Sequence, residues 1–189
     1  MMNLGRLMWL VVLFPFLGNA AEPSPWFATA QAAGTVYHLN DEGDPYRVGA
    51  GIGYSFSDRI DGALDLVYGY YEVNAVKDRN PDIPVESGRS QSLGVDLRLR
   101  LRTLTTGKVD WYLQGGAGMQ TMVANPPFPA DGSGENFTLM LGPGCLVRFG
   151  ERFRIATTVQ WFHISNARLQ PNNSGYDGIQ LVVSPEWRF

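Results

Sequence analysis

Three polar side chains near the C-terminal end of the sequence have the types and the spacing of an activated serine. His163 and Ser165 are separated by one residue, and Asp177 follows after a short connection. Side chains two apart in a strand share a face, so an extended stretch here would present the imidazole and the hydroxyl together. With a carboxylate to orient the imidazole, this is the minimal arrangement for a serine nucleophile. A short His-x-Ser stretch is common by chance, so its position in the fold decides its value.

The composition favours a single β-rich domain. The chain has 189 residues, of which 12% are aromatic and 17% charged, with 22 glycines and 12 prolines. Low charge combined with many aromatic residues and glycines is typical of short strands and turns rather than of a helical bundle. Cys145 is the only cysteine, which excludes an intramolecular disulfide, and the net charge of −3 gives no sign of a nucleic-acid partner.

Residues 1–20 are predicted to be an export signal. Arg6 supplies the positive region, the stretch from Leu7 to Leu17 is almost wholly apolar, and Gly18-Asn19-Ala20 offers small residues where signal peptidase cleaves. The apolar run is too short to cross a bilayer as a helix. The alternative is a short membrane anchor, which leaves the small-residue site without a purpose.

Strict alternation characterises the middle of the chain. Every second residue is apolar and the intervening residues are small or charged, the apolar set being Leu93, Val95, Leu97, Leu99 and Leu101. This period of two excludes a helix. A soluble sheet would bury the leucines in a core, whereas a membrane barrel would turn them to lipid and the arginines to a polar lumen. The alternation alone does not decide between these two.

Loop lengths favour the barrel. Eight strands are predicted, at residues 26–37, 46–56, 59–73, 90–103, 109–122, 136–148, 153–164 and 178–189. Tight turns at 57–58, 105–107 and 150–151 alternate with longer connections at 38–45, 74–89, 123–135 and 165–177. Long loops at one end and short turns at the other are typical of outer-membrane proteins, whose long loops face outside. We therefore predict an all-β fold, an eight-stranded antiparallel transmembrane β-barrel formed by residues 21–189 in the bacterial outer membrane.

The last strand places the three polar residues. One face carries Ile179, Leu181, Val183, Pro185, Trp187 and Phe189, and the terminal phenylalanine resembles the signal that the outer-membrane assembly machinery reads. Asp177 has the parity of this apolar face, and His163 and Ser165 continue the apolar face of the preceding strand. Tryptophans such as Trp161 are expected in the interfacial aromatic girdles. All three polar groups should therefore face lipid at the extracellular rim, a costly position that favours a lipid substrate.

A family resemblance follows from the same residues. His163-Ile164-Ser165-Asn166-Ala167 with Gly175-Tyr176-Asp177 resembles the signature of the outer-membrane lipid A 3-O-deacylases, an acyloxyacyl hydrolase-like family of small eight-stranded barrels. The resemblance implies that Ser165 is the nucleophile, His163 the general base, Asp177 the orienting acid and Asn166 the residue that stabilises the oxyanion. This sequence departs from the family pattern at Asp177, where glutamate is usual, and at Arg168, where glycine is usual.

The resulting hypothesis is a serine esterase that hydrolyses the 3-O-linked acyl chain of lipid A without a cofactor or a metal. Its implied partners are lipid A or lipopolysaccharide in the outer leaflet and the assembly machinery during insertion, while a homodimer stays open. The alternative is a non-catalytic outer-membrane barrel with a structural or adhesive role. A small pore is disfavoured because eight strands enclose an interior just wide enough for side chains.

Overall fold

The computed structural model of the chain describes residues 24–39, 43–73, 87–124, 128–129, 134–167 and 175–189. The predicted export signal at residues 1–20 lies outside these described residues, and so does Arg168. Within the described part of the chain, no helix is long and apolar enough to cross a membrane.

Eight strands form a closed barrel in which each strand pairs with its neighbours in chain order. The strands are β1 Trp26–His38, β2 Gly43–Ser55, β3 Ile60–Val73, β4 Gly88–Thr106, β5 Val109–Met122, β6 Glu135–Phe149, β7 Phe153–Ser165 and β8 Tyr176–Arg188. All pairs are antiparallel, and β1 pairs with β8 to complete the barrel. The predicted fold class and strand count are confirmed.

Strand ends differ from the prediction where pairing continues past the alternating pattern. β2 begins at Gly43 because that residue still pairs with Val73 of β3. β4 continues to Thr106, which pairs with Val109, so the predicted turn at 105–107 shortens to Gly107 and Lys108. Gly107 has a φ of 61°, a left-handed conformation that two-residue hairpins require and that glycine adopts without strain.

The faces of β4 decide between a soluble sheet and a membrane barrel. Leu97 and Leu99 are 54% and 52% exposed, whereas Arg98 and Arg100 are 3% and 5% exposed. The leucines therefore cover the outside of the closed barrel, and the arginines project into its lumen. An apolar exterior around a charged interior is the pattern that a bilayer imposes on a barrel.

Paired charges occupy the lumen. Arg98 Nε lies 2.6 Å from Asp65 Oδ2, and Arg100 Nη2 lies 2.8 Å from Glu186 Oε1. Buried ions need such partners because an unpaired charge in a low-dielectric interior is strongly destabilising. Asp65 is therefore a lumen residue, and these interlocked side chains argue against a conducting pore.

An apolar cluster fills the end of the lumen behind the last hairpin. Phe162 and Ile164 of β7 belong to this cluster together with Tyr176 of β8, and all three are fully buried. The other members of the buried cluster are Tyr71, Val73 and Phe128. Since Phe162 and Ile164 flank His163 on β7, their packing fixes the backbone that carries the outward-facing residues.

Candidate active site

The β7–β8 hairpin brings the candidate residues together. His163 is the register partner of Asp177, and Ser165 is the last residue of β7. On both strands the odd-numbered residues around the site are partly exposed, while Phe162, Ile164 and Tyr176 between them are buried. His163, Ser165 and Asp177 therefore lie on the outward face at the end of the barrel with the longer connections, as the sequence predicts.

Three polar groups form a chain of short contacts. Asp177 Oδ1 lies 3.0 Å from His163 Nδ1, and His163 Nε2 lies 3.0 Å from Ser165 Oγ. In the tautomer with the ring proton on Nδ1, the imidazole donates to the carboxylate and Nε2 accepts from the serine hydroxyl. The His163 and Asp177 side chains are 24% and 37% exposed, so the site opens to the outer surface. This order of acid, imidazole and hydroxyl can remove the proton from a serine as it attacks an electrophile.

Trp161 is a site residue that sequence reasoning missed. Its indole Nε1 donates to Asp177 Oδ1 at 2.8 Å, and its ring stacks on His163 with centroids 5.6 Å apart and an interplanar angle of 21°. The sequence had suggested only an interfacial girdle role for this tryptophan. The available signal was its parity, since Trp161 precedes His163 by the same two residues that separate His163 from Ser165.

Gly175 forms the wall of the site at the start of β8. It is buried with a φ of 63°, and a Cβ built on it would lie 3.2 Å from His163 Cε1. The backbone conformation and the close approach to the imidazole both favour glycine at this position.

Asn166 differs from the other three predicted site residues. It directly follows Ser165 but is fully buried, whereas the serine is partly exposed. Asn166 has partners in this buried position. The structure thus clusters the His163, Ser165 and Asp177 side chains on the outer surface and shields that of Asn166.

Apolar side chains of β6 adjoin the hydroxyl. Phe137 is the register partner of Ser165, and Leu139 is the partner of His163. Both project outward, with exposures of 38% and 46%. On the other side of the hairpin, Ile179 and Leu181 continue the outward face of β8 below Asp177. The Ser165 hydroxyl therefore lies at the edge of an apolar surface, at the end of the barrel with the longer connections.

His38 has two polar partners at the rim. Its Nε2 lies 2.8 Å from Asp44 Oδ1, and its Nδ1 lies 3.4 Å from the Tyr176 hydroxyl. These contacts connect the ends of β1 and β2 to the residue before Asp177. They are a second polar cluster at the rim, separate from the outward-facing chain of Asp177, His163 and Ser165.

A sequence profile of one protein family matches most of the chain. The family is described as lipid A 3-O-deacylase (PagL), and the match covers residues 48–185. This range includes all of β7 and most of β8. Among curated proteins, none matches the chain.

Solved outer-membrane barrels share the fold. The outer membrane enzyme PagL superposes with a TM-score of 0.61 at 20% identity, over 82% of this chain and 97% of that one. Neisserial surface protein A (NspA) gives 0.55 at 14% identity, over 89% and 100% of the two chains. OprG from Pseudomonas aeruginosa gives 0.50 at 12% identity, over 89% and 98%. At these identities the likeness concerns the fold.

Proposed function

This chain belongs to the lipid A 3-O-deacylase (PagL) family, and we propose that it hydrolyses an acyl ester of lipid A through Ser165, His163 and Asp177. Family and barrel together indicate the bacterial outer membrane as its location. The observation that carries the proposal is the contact chain from Asp177 Oδ1 through His163 to Ser165 Oγ on the outward face. The proposed substrate bond is the 3-O-linked ester, which the family description names.

Acylation begins at the serine. As Ser165 Oγ attacks the ester carbonyl, His163 Nε2 takes the hydroxyl proton, and Asp177 stabilises the imidazolium that forms. The tetrahedral intermediate collapses with cleavage of the ester C–O bond. His163 then returns the proton to the departing sugar oxygen, which leaves a free hydroxyl on lipid A and an acyl group on Ser165.

Deacylation repeats the same steps with water. His163 removes a proton from a water molecule, whose oxygen attacks the acyl carbonyl and releases the fatty acid as Ser165 regains its proton. We propose that Asn166, which directly follows the serine, stabilises the oxyanion, although its side chain is fully buried in this structure. Loss of one oxyanion donor typically costs about 100- to 1000-fold in rate, so this assignment predicts a large effect of Asn166→Ala.

Placement supports a lipid as the substrate. Polar side chains on a lipid-facing surface are costly and need a functional reason. Here Ser165 and His163 lie beside exposed Phe137 and Leu139, and exposed Leu181 continues the outward face of β8. An acyl chain lying on this apolar surface would bring its ester to the hydroxyl while the sugar stays at the rim.

Further partners extend the proposal. We expect residues 1–20 to direct export and the last strand, which ends in Phe189, to engage the outer-membrane assembly machinery. Lipid A or lipopolysaccharide in the outer leaflet is the proposed substrate partner. Cross-linking in native membranes tests the homodimer that the sequence leaves open.

Mass spectrometry of lipid A tests the proposed function. Cells that produce the wild-type protein should contain lipid A lighter by one 3-O-linked acyl chain, and cells that produce Ser165→Ala should not. Both proteins should show the same heat-modifiable migration of a folded barrel. If neither the cells nor the purified wild-type protein release an acyl chain from any lipid A, the chain is a non-catalytic barrel.

A further inference from the structure

We propose that Trp161 is a positioning residue of this site, holding the Asp177 carboxylate where the His163 imidazole needs it. This inference rests on the proposed function of Ser165, His163 and Asp177. It adds to the site a side chain that acts through the acid.

The hydrogen bonds at Asp177 carry the argument. Asp177 Oδ1 accepts from Trp161 Nε1 at 2.8 Å and lies 3.0 Å from His163 Nδ1. Both partners project from consecutive outward positions of β7, whereas Asp177 is the second residue of β8. A carboxylate with 37% of its side chain exposed would otherwise rotate toward water. Two donors from the neighbouring strand hold Oδ1 in place, and charge-assisted bonds are stronger than neutral ones.

The Trp161 indole also limits the rotation of the His163 imidazole. The Trp161 and His163 rings lie nearly parallel, at 21°, with centroids 5.6 Å apart. One side chain therefore contacts both members of the acid–imidazole pair. An indole that served only as an interfacial anchor would direct its N–H toward headgroups or water, whereas this N–H is committed to the carboxylate.

Kinetics of Trp161→Phe give the first test, because phenylalanine keeps an aromatic ring and removes only the N–H donor and part of the ring. With purified protein in detergent and lipid A as substrate, kcat should fall on the order of 10-fold, the loss expected for one hydrogen bond to a charged group. KM should stay unchanged. Trp111→Phe is the matched control, since Trp111 also faces outward but lies at the opposite end of the barrel, and it should keep wild-type kinetics.

A double-mutant cycle separates positioning from a merely structural role. If Trp161 acts through the carboxylate, Trp161→Phe should cause no further loss in an Asp177→Ala background, because residues that act as a unit are non-additive. A KM increase, or an equal fold-loss of kcat in both backgrounds, would overturn the proposal.

Nuclear magnetic resonance of the indole N–H provides a readout that needs no substrate. In the ¹⁵N-labelled full-length mature protein, Asp177→Ala should move the Trp161 indole resonance and leave that of Trp111 in place. Trp161→Phe should speed exchange of the His163 ring N–H with water. A Trp161 resonance that ignores Asp177→Ala contradicts the proposal. If that resonance responds but the wild-type protein cleaves no lipid A, the positioning contact stands and the proposed function fails.

Discussion

The Asp177 carboxylate lies where an acid that orients His163 would have to lie, although aspartate is one methylene shorter than glutamate. Its register partner is His163, so the two Cα atoms face each other across the β7–β8 ladder and a short side chain is sufficient. The carboxylate oxygen lies 3.0 Å from the imidazole nitrogen without any irregularity in these strands. The one-methylene departure from the family pattern therefore does not break the contact chain to Ser165.

Substitution of the acid has a predicted order of effects. Asp177→Asn removes the charge that stabilises the imidazolium and favours the wrong tautomer, so kcat should fall by about 10⁴-fold. Asp177→Glu keeps a carboxylate within reach and should retain most of the activity. Acyl release from lipid A by the purified variants measures both. Equal rates for the wild type and Asp177→Asn would remove Asp177 from the mechanism.

The absence of a side chain at Gly175 is predicted to leave the space that the His163 imidazole needs. In Gly175→Ala the new Cβ approaches His163 Cε1 at 3.2 Å, and a left-handed φ costs a non-glycine residue about 1–2 kcal/mol of stability. Activity should therefore fall while the barrel still folds. Gly107→Ala is the matched control because Gly107 has a φ of 61° with nothing within 4 Å of its Cβ position. It should lose stability but keep full activity; equal activity of the two variants would contradict the contact argument.

Each strand has one face toward the bilayer and one toward the lumen, and these two environments together determine which residues each face carries. β4 shows this most clearly, because its outward leucines alternate with arginines that pair with Asp65 and Glu186. A shift of one residue would bury the leucines among charges and turn the arginines to lipid, which strongly specifies the register. The same constraint on β7 and β8 keeps the candidate site outside.

The free-energy cost of placing a charge on the outer face of β4 should depend on the depth of that residue in the membrane. Leu97 and Leu104 are both outward-facing, at 54% and 60% exposure, but Leu97 lies at the middle of the strand and Leu104 near its end. Leu97→Arg should destabilise the barrel by about 2–4 kcal/mol and Leu104→Arg by about 0–1 kcal/mol. Urea unfolding in lipid vesicles measures the two values, and equal costs would contradict the assigned bilayer position.

Closure of the barrel sets the topology of the whole molecule. β1 pairs with β8, so in the described part of the chain no strand edge is left open to other proteins. With an even strand number, the start of β1, the end of β8 and the short turns lie at one end of the barrel. The β7–β8 connection and the candidate site lie at the other, which should face the medium where outer-leaflet lipid A is found.

Cysteine labelling tests this orientation in a Cys145→Ser background. Val123→Cys, at an exposed position just beyond β5, should react with a membrane-impermeant reagent in intact cells. Glu151→Cys, in the exposed turn between β6 and β7, should react only after the outer membrane is broken. The reverse pattern would mean that the topology is inverted.

Cleavage of the proposed export signal can be tested on outer membranes from the same cells. The mature protein isolated from outer membranes should begin at Ala21, because Gly18-Asn19-Ala20 offers the small residues that signal peptidase requires. Intact-mass measurement distinguishes this species from the uncleaved chain. Retention of residues 1–20 would favour a membrane anchor instead.

Local periodicity and turn residues were sufficient to predict the strand count and the common face of His163, Ser165 and Asp177, and the loop lengths added the outward direction of the leucines. A strand repeats every two residues, and turn residues interrupt that repeat, so both signals are contained in neighbouring positions of the sequence. The hairpin contact between His163 and Asp177 was predictable for the same reason, because consecutive antiparallel strands are neighbours.

Bulges and individual side-chain contacts between strands were decided only by the closed structure. The bulge between Arg102 and Leu104 shifts the β4–β5 pairing, and the contacts of His38 depend on how β1 meets β8. The Trp161 N–H could be assigned to Asp177 only after the strands were aligned and both side chains had a direction. Such contacts depend on distances between strands, which a one-dimensional pattern does not contain, because barrel closure and lumen packing determine them together.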